Sequence, residues 1–197
     1  MEPAPTLAER ILPLPGTSRA AREAVLLGSG VLLVSLLAQL EVRLPFSPVP
    51  VTGQTLGVLL AGGLLGGRRA FQAMLLYLGA GLCGLPVFSG GASGPLWLLG
   101  PTGGYLAGFP AAAWAAGVLA RRGWNQTPWK ALPVLAAGNL TIYLFGLPWL
   151  ALFVGWNRAP ALGLFPFLAG DAVKILLAAA LLPLGWKIPS LREKDPG

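Results

Sequence analysis

Asp171 and Lys174 stand three residues apart inside an otherwise apolar run from Ala161 to Leu184. On a helix that spacing places both on one face. Ionisable groups deep in a membrane segment turn towards a bundle interior or a cavity and mark substrate or ion pathways. The other reading of the pair is structural, two charges that neutralise each other. Asn139 and Tyr143, four apart in the run from Ala131 to Phe153, also share a face. Counting helical rise from the outer ends puts Asp171 about 10 Å deep and Lys174 about 15 Å. Asn139 then lies level with Lys174, and Tyr143 with Asp171. Tyr105, at the outer end of another apolar run, completes a set of one cation, one anion, an amide and phenols. Such a set suits a neutral or anionic ligand that carries donors and acceptors. Asn139 alone serves equally as an interhelical hydrogen bond. Gln54 and Thr55 open a further run from the outer side, either as helix-end residues or as lining of the same cavity.

What must position these groups is a membrane bundle. The 197 residues are 55% hydrophobic and 11% charged, against roughly 25% charged in soluble domains. Six apolar runs, near Ala24–Leu40, Val51–Leu65, Ala70–Phe88, Tyr105–Ala120, Ala131–Phe153 and Ala161–Leu184, predict an all-α integral membrane protein of six transmembrane helices. The expected organisation is a single membrane domain over 1–197: a cytoplasmic arm over 1–22, the bundle over 23–187 and a tail over 188–197. Arg10, Arg19, Arg22, Arg68, Arg69, Arg121, Arg122, Lys130, Lys187, Arg192 and Lys194 fall on one side, with only Arg43 and Arg158 on the other. That asymmetry predicts both termini in the cytoplasm. The net charge of +7 is spread between apolar runs instead of forming a stripe, which argues against nucleic acid. With no histidine and the single Cys83, neither a metal site nor a disulfide framework is expected. No cofactor is expected either.

Two outward connections have unusual compositions. Leu44 to Pro50 holds three prolines, a stiff cover. Gly84 to Gly104 is rich in glycine, either a lid over a ligand or a flexible loop with Trp97 anchored among lipid headgroups. Ala20, Ala24 and Gly28 recur every four residues near the cytoplasmic end of the first run. Such a small-residue stripe admits a second helix closely, from a partner or from the same bundle.

Four blocks carry a resemblance: Ser47-Pro-Val-Pro-Val-Thr-Gly-Gln-Thr-Leu-Gly-Val-Leu-Leu-Ala-Gly62, Gly84-Leu-Pro-Val-Phe-Ser-Gly-Gly91, Gly100-Pro-Thr-Gly-Gly-Tyr105 and Gly170-Asp-Ala-Val-Lys174. In this order they resemble the BioY family, the biotin-binding S components of energy-coupling-factor (ECF) vitamin transporters, from about Ala24 to Lys187. The resemblance implies an S-component-like bundle in the bacterial cytoplasmic membrane, binding biotin with high affinity beneath the first and third loops. It further implies a transmembrane coupling protein and two ATPase subunits as partners. ATP is then hydrolysed only by those partners, and this chain has no P-loop Gly-x-x-x-x-Gly-Lys-Ser/Thr. The family's docking signature corresponds to Ala24 and Gly28. Lys174 is expected to neutralise the biotin carboxylate and Asp171 to accept from polar ligand groups. The alternatives are an S component for another vitamin, an autonomous carrier or facilitator, and an intramembrane enzyme using Asp171 as a base. The last lacks a second buried carboxylate, a histidine or a metal cluster.

Overall fold

The structure is a computed structural model that describes residues 5–187; the tail expected over 188–197, with Arg192 and Lys194, lies outside the described residues. Six helices of twelve or more residues carry the architecture: α2 (Arg19–Ala38), α3 (Gln54–Leu65), α4 (Gly67–Leu82), α6 (Gly103–Leu119), α7 (Pro128–Val154) and α9 (Phe165–Lys187). Three one-turn helices, α1 (Leu7–Ile11), α5 (Pro95–Leu99) and α8 (Ala159–Gly163), and a two-stranded ribbon of β1 (Glu41–Val42) and β2 (Val51–Thr52), close the ends. Four helical stretches, 19–38, 103–124, 128–154 and 159–187, are long and apolar enough to cross a membrane. The chain is thus an integral membrane protein by composition and length. At helical rise, α3 and α4 reach only about 18 and 24 Å, short of the roughly 30 Å of hydrocarbon.

The bundle closes tightly because its contacts are made by small residues, which let helix backbones approach. A Cβ at Gly62 would lie 2.8 Å from the Ala113 carbonyl oxygen. One at Gly146 would overlap the Tyr105 ring, and one at Gly104 the Trp149 side chain. Helix α3 is buried along almost its whole length and forms the centre of the molecule. Its short span follows from that position, since it is sheathed by neighbours and not by lipid.

Two boundaries differ from the sequence expectation. The run expected to continue to Phe88 leaves the helix at Leu82; Gly84 turns at φ +94°, and the following prolyl segment brings Phe88 back against Gly81 and edge-on to Tyr77 at 5.5 Å. Helix α2 begins at Arg19, inside the stretch assigned to the arm, because Ser18 caps it by accepting from the Ala21 N–H at 3.2 Å.

The rest of the arm is a packed latch. Leu7 is 1% exposed, among Leu59, Ala178 and Leu182, and Arg10 stacks over Trp186 at 5.3 Å. Glu9 accepts from Thr6 and pairs with Arg22 at 2.9 Å and Arg69 at 3.1 Å. Burial pushes the Glu9 carboxyl up, but the Thr6 donors and the Arg69 and Arg22 guanidiniums outweigh it and hold it below its ordinary value of 4.5. A depressed carboxyl stabilises the folded state fully above the ordinary value and loses that contribution as pH falls through the lower folded one. Hydrogen-exchange protection over Leu7–Ile11, corrected for the intrinsic pH dependence of amide exchange, is therefore expected to hold from neutral pH to about 4.5 and to fall below it. Glu9→Gln should abolish that acid step; an unchanged step would assign it elsewhere.

Candidate functional site

The four groups matched by helical spacing meet at one atom cluster. Asp171, 4% exposed, is held by α9 so that its Oδ2 accepts from Asn139 Nδ2 at 3.0 Å and from the Tyr143 hydroxyl. Both donors come from one face of α7, as their spacing of four requires. Lys174 Nζ donates to Asp171 Oδ1 at 3.0 Å and to Thr55 Oγ1 of α3, also at 3.0 Å. The ion pair of the structural reading therefore exists. It also retains capacity: among the described residues the ammonium uses two of its three donors, and Asp171 Oδ1 accepts one bond where it has room for two.

A cavity with a free volume of about 50 Å³, room for a few waters, opens over this cluster. Its walls include Gln54, Tyr105, Asn139, Tyr143, Asp171 and Lys174, so every ligand-site residue expected from sequence lines it. Tyr105 contributes its ring, edge-on to Tyr143 at 6.3 Å, while its hydroxyl is spent on the Gly163 carbonyl at 2.8 Å. Gln54 likewise spends its Nε2 on the Tyr77 hydroxyl at 2.6 Å and accepts from Thr52 at 3.0 Å. The roof comes from both unusual connections: Val49 to Thr52 from the first, and Ser89, Trp97 and Thr102 from the second. Trp97 faces this cavity, which favours the lid over the headgroup anchor. With so small a volume under two loop segments, the cavity admits a larger ligand only if those segments part.

The roof is fastened to the walls. Ser47 Oγ donates to the Leu162 carbonyl at 2.7 Å, tying the first connection to α8. The Tyr77 hydroxyl donates to the Val87 carbonyl at 3.0 Å, tying the lid to α4. Gly90, at φ +62°, brings the lid onto the ribbon, where any side chain would strike Glu41 and Arg43. Left-handed backbone and close contact together require glycine there.

Sequence reasoning placed Thr55 only as an alternative, and missed Phe109 and Phe167, which line the cavity, and Tyr77, which holds Gln54 from behind. The signal for Tyr77 was available, a hydroxyl inside an apolar helix. Phe109 and Phe167 carried none, because an aromatic on a membrane helix reads as core or lipid contact alike. Ala20, Ala24 and Gly28 lie elsewhere, exposed on the outside of α2, and a Cβ at Gly28 would meet nothing within 4 Å. Packing within the same bundle does not account for the stripe; the inward face of α2 uses Gly30 instead, against Leu65 and Ala73. Among the described residues no group of His, Cys, Asp and Glu could hold a metal ion.

A family model described as the BioY family matches residues 9–190. A probable biotin transporter BioY of Pyrococcus horikoshii is 41% identical over 161 residues, covering 82% of this chain and 94% of its own length. A biotin transporter BioY2 of Lactococcus lactis is 38% identical over 157 residues, covering 77% of this chain and 83% of its own. The fold is that of a crystal structure of the S-component for biotin from an ECF-type ABC transporter, with a TM-score of 0.79, 23% identity, and 90% of this chain and 98% of that chain covered.

Proposed function

The chain belongs to the BioY family, and from that premise we propose that it captures biotin with high affinity as the substrate-binding S component of an ECF-type transporter. The observation that carries this reading is the Asp171 junction, a buried carboxylate and a partly buried ammonium 3.0 Å apart on the floor of a loop-covered cavity. The pair offers one donor and one acceptor side by side. Biotin's ureido group offers the complement, a carbonyl flanked by N–H groups. Its carboxylate would approach Asp171 as closely as Lys174 and suffer repulsion. The reading therefore revises the sequence expectation: Lys174 donates to the ureido carbonyl and Asp171 accepts from a ureido N–H, with the carboxylate directed away towards the roof.

The same reading takes six spans in one membrane domain, with both termini in the cytoplasm of a bacterial inner membrane. The clustering of Arg19, Arg68, Arg69 and Arg121 around one end of the bundle supports that orientation. Energy comes from a coupling protein and two ATPases, the former met by Ala20, Ala24 and Gly28. Mass spectrometry of the small molecule that co-purifies with the protein should return biotin, and calorimetric titration should rank biotin above other vitamins. Recovery of a different vitamin that biotin fails to displace would overturn the assignment.

A further inference from the structure

At the end of the bundle opposite the biotin cavity lies a polar cavity of about 400 Å³. Arg19 at the start of α2, Arg68 at the start of α4 and Arg121 in the turn after α6 converge on it. Two carboxylates also line it, but both are engaged, since Glu9 and Glu23 bind Arg69, itself in the wall, and Glu9 also binds Arg22. Among the described residues Arg19, Arg68 and Arg121 make no ion pair, so the cavity carries uncompensated positive charge. Gln72 adds an amide at its wall. The Arg121 stem is laid across Gly66, whose position would bring a Cβ to 3.2 Å from Arg121 Cδ, so that arginine is held to the cavity by packing.

The lower wall is apolar. Leu27 and Leu65 line it, and Leu65 also borders a neighbouring groove of about 200 Å³ formed by Ala8, Ile11, Leu33 and Leu64. Planar guanidiniums recognise phosphate oxygens bidentately, and basic pockets between helices on the cytoplasmic side hold anionic headgroups. We infer that this cavity binds the phosphate headgroup of an anionic phospholipid of the inner leaflet. Inorganic phosphate shares the headgroup chemistry but makes no use of the leucine wall or the adjoining groove. The occupant bridges the start of α2 to the α3–α4 turn, with Arg19 next to the exposed Ala20 and five residues from the exposed Ala24. Anionic lipid therefore fixes the end of α2 that carries the stripe. The cytoplasmic placement rests on the proposed orientation, but the ligand does not depend on biotin.

The test uses the full chain in detergent with phosphatidylglycerol, phosphatidylcholine of the same acyl chains, and inorganic phosphate. Native mass spectrometry should show phosphatidylglycerol retained several-fold over phosphatidylcholine. Arg68→Gln with Arg121→Gln should reduce that ratio to parity while biotin titration stays unchanged, which shows that the variant is folded and keeps the two inferences separable. Equal retention of both lipids, or a preference that survives the double substitution, would overturn the site. Inorganic phosphate that displaces phosphatidylglycerol and gives the same thermal protection would assign the cavity to a soluble phosphate and overturn the lipid.

Discussion

Asp171→Ala is expected to lower biotin affinity by about 100-fold or more, the range for truncating one partner of a buried charge pair. The substitution removes the acceptor offered to the ligand and deprives three donors of it at once: the Asn139 amide, the Tyr143 hydroxyl and the Lys174 ammonium, which keeps only Thr55. Removing one member of such a pair costs on the order of 3–5 kcal/mol of stability. Retitration with biotin and a thermal melt of the ligand-free protein read the two losses separately. Asp171→Asn keeps an acceptor but loses the charge that holds Lys174, so it should fall between. Lys174→Ala decides which end of the ligand meets the pair. If the ureido group does, biotin and its carboxamide lose affinity equally; a loss confined to biotin would return the carboxylate to Lys174.

Ala24→Leu combined with Gly28→Leu is expected to leave biotin binding intact and to reduce energised uptake to the level of cells without the coupling protein. Both positions are exposed on α2, and Gly28 has open space around it, so the isolated protein accommodates the leucines. A helix that packs backbone-to-backbone on the stripe does not. Co-purification with the coupling protein should fail in step with uptake. Normal assembly in the double variant would move the docking surface off this face. Uptake by wild-type protein in liposomes without ATPases would favour the autonomous carrier.

The floor of the site was legible because helices convert spacing into position. Asp171 with Lys174 and Asn139 with Tyr143 each fixed a face, and counting rise from the span ends levelled them. The roof was not legible to the same depth. Composition marked both connections as covers, but whether Trp97 turned inward depended on α5, a single turn inside a glycine-rich stretch, and on Gly90 seating the lid against Glu41 and Arg43. The N-terminal arm was the larger omission. Leu7 and Glu9 gave no periodic signal over one turn of helix. Their burial is decided by partners far along the chain, Leu182, Arg69 and Trp186. All six runs were legible as helices, but only four are long enough by themselves to span; α3 is short and enclosed by its neighbours, whereas α4 is short and turns Phe71, Leu75, Leu76 and Leu82 outward.

The Asp171–Lys174 ion pair sums to zero charge, so the empty site is electrically silent. Biotin, the proposed ligand, is a monovalent anion, so the loaded protein would differ from the empty one by a single negative charge. Carrying that charge inward across an interior-negative potential costs about 2.3 kcal/mol per 100 mV for a full crossing. A binding protein with a self-neutralised floor cannot recover this from the membrane voltage, which opposes the cargo at every step of entry. On the proposed function accumulation is driven from outside the chain, and the outward return of the emptied site, having no net charge at the pair to move, is indifferent to the voltage.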